Sequence, residues 1–324
     1  MSTAANKDQI RKRMRERGLS EHEIKRFLKM VPETDRKESG SILLSEITAA
    51  DTSAILDVDS LAGEIKDLDR RGKELLSKVV VIKLNGGRST TMGGDVPKGT
   101  LTAKDGLSYL EIISRQIEAF DKHWQEPVPL VLMDSFFTHA PTLAIIDRFP
   151  VPIRTFQQSQ VPRLLQDSLA PLDTGTEEDW VPPGHGDIYE SLDHSGLLKQ
   201  LLAEGRRWAF ISNLDNLAAT LEPWIPALIE REEIDFLLEV TDRTETDRKG
   251  GTLIVRNGRP DLLEIAQVSA GDKQRFQDID RFPVFNTNNV WVDLQALSDL
   301  LAKDNLKLPV MQNRKEIMGH RIIQ

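Results

Sequence analysis

From Lys83 to Lys98 the chain reads Lys-Leu-Asn-Gly-Gly-Arg-Ser-Thr-Thr-Met-Gly-Gly-Asp-Val-Pro-Lys, two glycine pairs followed by a lysine. Paired glycines let backbone N–H groups approach a phosphate with no Cβ in the way, and a lysine adds a point charge to the same group. The run is not a Walker A sequence, since Gly-Lys-Ser/Thr is absent, and it holds no G-x-G-x-x-G. Alone, it reads as a phosphate-binding loop or as a tight turn. Three other segments carry comparable chemistry. Pro182-Pro183-Gly184-His185-Gly186-Asp187 is a binding loop or a rigid turn whose histidine is merely satisfied. Asn213-Leu214-Asp215-Asn216 offers a carboxylate suited to Mg2+, which prefers hard oxygens, or an Asn-Asp turn capping a helix. Gln157 and Gln158 supply amides, which donate and accept hydrogen bonds at once.

These groups act together only if the fold gathers them. Val79-Val80-Val81-Ile82 is a continuous β-branched run, the mark of a strand covered on both faces, and it leads directly into the glycine loop. Further strands are expected at 129–133, 153–156, 208–212 and 236–240, with helical patterns at 107–120, 141–147, 197–203 and 224–231. This alternation predicts an α/β fold, a mostly parallel sheet with helices on both sides. In such sheets ligands bind beyond the carboxyl ends of the strands. Met133, the two glutamines, Asn213 and Asp215 all fall at such ends. Downstream, 252–256, the turn Asn257-Gly258 and 262–268 read as a β-hairpin, and 285–294 as another strand. Upstream, residues 7–30 and 54–78 carry apolar residues at helical spacing around a loop at 32–41. A helical N-terminal segment (1–78) is therefore expected to pack on a catalytic domain (79–324).

Composition narrows the function classes. The net charge of −9 argues against broad nucleic-acid binding. Nine Lys or Arg at 7–29, set against Asp8, Glu16, Glu21 and Glu23, read as a solvated helix face in preference to a basic arm. No apolar run approaches the roughly 20 residues that span a bilayer, and no apolar block follows the first charges, so neither membrane nor secretion is expected. A chain with no cysteine excludes disulfides, thiol catalysis and thiolate zinc sites, in keeping with a cytoplasmic setting.

The segment KLNGGRSTTMGGDVPKGTL (83–101) resembles the signature loop of eukaryotic-type UDP-glucose pyrophosphorylases. The resemblance recurs in order through VPLVLMDSFFTHAPT, FQQSQVPRL, WVPPGHGDIYESLDHSGLL, FISNLDNLAAT, LLEVTDRTETDRKGGTL, LLEIAQV and FNTNNVWVDL, covering roughly 79 to 324. It implies a Rossmann-like (GT-A-like) nucleotidyltransferase that joins UTP to glucose 1-phosphate with Mg2+. The sugar phosphate attacks the α-phosphorus in line, so positioning and charge stabilisation do the work, without a nucleophilic side chain. By the same resemblance Leu84, Gly86 and Gly87 cradle the nucleotide, and Met133, Gly184 and Gln157, or second to it Gln158, meet the uracil. Lys98 faces the phosphates, His185 the sugar phosphate, and Asp215 the metal, with Asn213 bridging the substrates. Gly251, Glu264, Asn286 and Asn288 surround the hexose, in a sugar-binding part at about 235–324. Asn288 and Asn289 also read as turn-forming residues.

Two departures from the family pattern stand out. Arg88-Ser89 replaces a leucine and a glycine, adding charge and a Cβ to the loop. Family members also continue beyond Gln324, with a further phosphate-facing lysine and a β-helical domain that often mediates oligomerisation; a fragment or a shortened enzyme is expected. Oligomeric state is left open. The alternatives are a pyrophosphorylase for galactose or N-acetylhexosamine 1-phosphate, or a catalytically weak nucleotide-binding module.

Overall fold

The computed structural model describes residues 3–34, 42–88 and 96–324. The chain opens with α1 (Thr3–Glu16) and α2 (Glu21–Thr34), followed by β1 (Ile47–Ala49) and α3 (Ile65–Leu75). Then come β2 (Val79–Asn85), a short hairpin of β3 (Thr102–Lys104) and β4 (Leu107–Ser108), α4 (Tyr109–Trp124), β5 (Leu130–Asp134), α5 (His139–Leu143) and β6 (Ile153–Gln157). Three short strands, β7 (Val161–Pro162), β8 (Leu164–Leu165) and β9 (Trp180–Val181), lead to α6 (Ile188–His194) and α7 (Leu197–Ala203). The second half holds β10 (Trp208–Asn213), α8 (Trp224–Arg231), β11 (Phe236–Asp242), β12 (Thr252–Arg256) and β13 (Arg259–Leu263). It finishes with α9 (Lys273–Phe276), β14 (Val284–Asp293), α10 (Leu294–Ala302), β15 (Arg314–Ile317) and β16 (His320–Ile323).

The central sheet has the order β11-β14-β10-β2-β5-β6. The pairs β10–β2, β2–β5 and β5–β6 are parallel, while β14 runs against both its neighbours. One reversed strand makes the sheet mixed, and the expected parallel character holds for the rest. Its two faces are covered by different helices. Val79, Val81, Leu130, Leu132, Trp208 and Phe210 pack on α3, α4 and α8. Val80, Ile82, Val131, Met133, Ala209 and Ile211 pack on α6, α7 and α10. Burial on both faces is why these strands read as apolar runs without alternation. Among the described residues, no helix is long and apolar enough to cross a membrane.

The N-terminal stretch is less uniformly helical than its spacing predicts. In place of one helix over 54–78, α3 alone is α-helical, and short 3-10 turns occupy 52–54, 58–61 and 76–78. Asp51 and Asp57 accept hydrogen bonds from the N–H groups of Ser53 (2.9 Å) and Asp59 (3.0 Å), which favours local turns over continuous helix. β1 extends the β12–β13 hairpin at Ile47–Ala49. The hairpin forms as expected around Asn257 and Gly258, though its second strand is Arg259–Leu263 and 265–267 is a 3-10 turn. Residues 32–34 continue α2, and the rest of the expected loop, 35–41, lies outside the described residues.

The basic N-terminal helices clamp onto the body of the protein. Ile10, Met14, Ile24 and Phe27 bury against Val161, Leu164, Trp180 and Val181. Around this contact Arg13 reaches Asp179 at 2.9 Å, Arg17 reaches Glu177 at 2.8 Å, and Arg26 reaches Asp187 at 2.6 Å. Several of these cations thus face acidic partners of the same chain, so this face is a clamp more than a solvated surface.

Candidate active site

At the carboxyl ends of the parallel strands a cleft of about 330 Å3 opens. Register and alternation decide which side chains reach it. Leu84 on β2 lies beside Met133 on β5 and Asn213 on β10, and Met133 in turn beside Phe156 on β6. All four share one sheet face, and the next position on that face beyond β6 is 158, because side chains alternate with a period of two. Gln158 accordingly lines the cleft, held by its N–H on the Asp134 carbonyl at 2.8 Å. Gln157, the glutamine favoured from sequence, is exposed and is not among the lining residues. The sequence preference is corrected: the amide in the cleft is that of Gln158.

The glycine loop closes back on itself. The Lys98 N–H donates to the Gly87 carbonyl at 3.1 Å, and Arg88 bridges to Pro97, so the two ends of the loop meet at the cleft. At Gly86 a Cβ would sit 2.1 Å from Gln158 Nε2, so only glycine lets the loop and this amide share the space. Arg88 turns away from the cleft lining, ion-paired to Glu178 at 2.9 Å and stacked over Phe137 at 4.2 Å. Ser89 lies outside the described residues.

Lys98 Nζ and Asp215 Oδ2 are 3.1 Å apart, both about one-third exposed. His185 also lines the cleft. Desolvation by the protein packed around its loop lowers its pKa. The cleft therefore offers a cation, a carboxylate and a mainly neutral imidazole within one small volume. Asp215 is the carboxylate among the lining residues. One carboxylate fits Mg2+, which keeps several waters and takes the rest of its ligands from substrate phosphates. An all-protein cage is not required.

A second polar group adjoins the first. Asn288 Nδ2 donates to Asn213 Oδ1 at 2.9 Å, its own N–H donates to Asn286 Oδ1 at 2.9 Å, and Asn286 Nδ2 is 3.5 Å from Glu264 Oε1. A Cβ at Gly251 would lie 2.2 Å from that same Glu264 oxygen. β14 slips register against β11 between Glu239 and Val240, leaving Thr287 and Asn288 as extra residues. This bulge puts Asn288 at φ +59°, which asparagine tolerates, and aims its amide at Asn213. The turn-forming reading of Asn288 is thus met by a bulge at positive φ. Burial raises the Glu264 pKa, opposed by the Asn286 hydrogen bond and the Arg243 charge.

Nine of the residues expected from sequence line one cleft: Leu84, Gly86, Gly87, Met133, Gly184, His185, Lys98, Asn213 and Asp215. Gly251, Glu264, Asn286 and Asn288 form the adjoining group and do not line it. Asn85, Pro182 and Leu214 line the cleft without having been singled out. Asn85 is buried, donating through Nδ2 to Asp134 Oδ1 (2.7 Å) and Thr142 Oγ1 (2.9 Å), which fixes the start of the glycine loop. Its signal was a polar residue ending a β-branched strand immediately before Gly-Gly.

Comparison with known proteins gives this geometry its context. A family model described as UTP–glucose-1-phosphate uridylyltransferase matches residues 24–324. The UTP–glucose-1-phosphate uridylyltransferase of Hordeum vulgare is 40% identical over 313 residues, 94% of this chain and 66% of that protein. The Saccharomyces cerevisiae protein of the same name is 42% identical over 255 residues, 76% of this chain and 51% of that protein. The chain thus spans about two thirds of the length of the barley relative. Among solved structures, a Trypanosoma brucei UDP-glucose phosphorylase superposes with a TM-score of 0.90 at 33% identity, covering 99% of this chain and 70% of that one. A mutant of Leishmania major UDP-glucose pyrophosphorylase, solved with UDP-glucose, gives 0.87 at 34% identity, covering 100% and 72%. Sequence, fold and cleft agree, and the chain belongs to the UTP–glucose-1-phosphate uridylyltransferase family.

Proposed function

We propose that this chain joins UTP to glucose 1-phosphate, forming UDP-glucose and pyrophosphate. The observation that carries the reading is the meeting of Gly86, Gly87, Lys98, His185 and Asp215 in one cleft, bonded through Asn213 and Asn288 to a second polar group. Two polar sites in series suit two phosphorylated substrates. A sugar-phosphate oxygen forms a bond to the α-phosphorus of UTP while the bond from that phosphorus to the bridging oxygen breaks, and pyrophosphate carries off the electron pair.

Each group then has a task that its chemistry allows. Gln158 presents a donor and an acceptor to the uracil edge beside Met133, and Gly86 and Gly87 admit the triphosphate to backbone N–H groups. Lys98 offsets charge on the phosphate oxygens as the bonds exchange. His185 donates to the incoming sugar phosphate. Glu264, Asn286 and Asn288 accept from and donate to hexose hydroxyls. Asp215 is the ligand proposed for Mg2+, which supplies Lewis-acid neutralisation of the phosphates when bound.

Pyrophosphate release from UTP across a panel of sugar 1-phosphates, with and without Mg2+, tests this. Mg2+-dependent turnover highest with glucose 1-phosphate is expected. UTP binding without any pyrophosphate release would overturn it.

A further inference from the structure

Away from the cleft, side chains of α2 and α6 meet and leave three metal-binding groups together. His22 on α2 and Glu190 and His194 on α6 each bring one ligand atom to within 4.8 Å of the others. Glu190 and His194 are four residues apart and so stack on one face of their helix. The rings of His22 and His194 meet edge to face, with centroids 4.4 Å apart. Both histidines are exposed and Glu190 is half-buried. Arg26, one turn along from His22, lies 3.0 Å from Glu190 Oε2 and holds this carboxylate facing α2. That oxygen is buried, and its partner there is the Arg26 guanidinium.

We propose that His22, Glu190 and His194 bind a divalent transition metal, with zinc the occupant that fits best, and that the ion staples the N-terminal helices to α6. Two imidazoles, one carboxylate and a water make the donor set of an open tetrahedral zinc site. Mg2+ requires oxygen ligands and does not compete here. Tetrahedral zinc with bonds of about 2.1 Å places its donors about 3.4 Å apart. The donor atoms, which lie within 4.8 Å of one another, must therefore close by up to about 1.4 Å, which exposed histidines reach by rotation about their side-chain bonds. The two α6 groups alone would make an ordinary surface chelate; the ring from α2 turns it into a cross-link. α6 begins directly after the His185-Gly186-Asp187 turn, and His185 lines the cleft, so the staple anchors the helix that follows this turn.

Calorimetric titration of the full chain with Zn2+, in excess Mg2+, should show one saturable site, and the unfolding midpoint should rise with Zn2+. Loss of an outer-shell partner costs roughly 10–100-fold in metal affinity, so His22→Ala and His194→Ala should each cost about 100-fold or more. Co2+ bound to the unaltered chain should give the visible bands of a four- or five-coordinate ion, a readout independent of how the variants fold. Full affinity in His22→Ala would overturn the staple. No saturable Zn2+ binding, a six-coordinate Co2+ spectrum, or binding lost in Asp215→Ala in place of the histidine variants would overturn the site.

Discussion

Gln157 and Gln158 differ by one position in a strand, and that difference sets a sharp test. Gln158 is 8% exposed and lines the cleft, with Oε1 buried and unpartnered among the described residues. An amide pairing with a uracil edge makes two hydrogen bonds, each worth about 0.5–1.5 kcal/mol net, so Gln158→Ala should cost about 1–3 kcal/mol of UTP binding. That is about 5- to 150-fold in Kd. Folding should not suffer, because the variant also removes a buried acceptor that the free protein leaves unpaired. Gly86→Ala reaches the same amide from the other side: its Cβ would lie 2.1 Å from Nε2 and push the flexible end of Gln158 out of the cleft. Gln157→Ala, on the opposite face, should stay within about twofold of the parent. UTP calorimetry on the three variants, with thermal unfolding alongside, decides the matter. Equal losses in Gln157→Ala and Gln158→Ala, or none in Gln158→Ala, would refute the face assignment and the uracil role with it.

Lys98→Ala and Asp215→Ala should each lower kcat by about 100- to 1,000-fold, the scale for removing one preorganised charge-stabilising group. Their unfolding midpoints should barely move, because a partly exposed pair contributes about 1 kcal/mol or less; near-normal pyrophosphate release in both would unseat them from the site. Gly251→Ala should displace the Glu264 carboxylate and raise KM for the sugar phosphate by about 10-fold or more, with UTP affinity held, as two-substrate kinetics would show. Lys83 is buried, donating to Ser212 Oγ (2.7 Å) and the Ala219 carbonyl (2.8 Å), and burial brings its pKa down from 10.5 to about 8. Between those values the unfolded chain binds more protons than the folded one, so this residue makes stability rise with pH from about 8 to 10.5. Denaturant titrations of the parent and Lys83→Met should differ in slope across that window, the variant being the flatter; equal slopes would refute the assignment.

Much of this was legible in residue order because both faces of the central sheet are buried. Val79–Val81 and the strand at 208–213 announce themselves through continuous apolar runs, and the glycine loop and Asn213-Leu214-Asp215 follow them directly. What was not legible depends on contacts distant in sequence. β1 is strand only because β12 offers it an edge. The bulge at Asn288 arises where β11 and β14 fall out of register. The basic helices look solvated until Asp179, Glu177 and Asp187, some 160 positions away, meet their arginines. The choice between Gln157 and Gln158 is different in kind. Counting alternate residues from Met133's neighbour Phe156 settles it, and that parity is a property of residue order alone.

The ion pair between Lys98 and Asp215 makes the resting cleft nearly self-neutralising. A lone divalent cation meets a carboxylate already engaged, and a lone triphosphate meets a lysine already engaged. Arriving together, the two can each take the partner that the other releases. In the proposed reaction the pair would thereby favour the metal–nucleotide complex as the species admitted, and it would tie the apparent affinity for either one to the concentration of its companion.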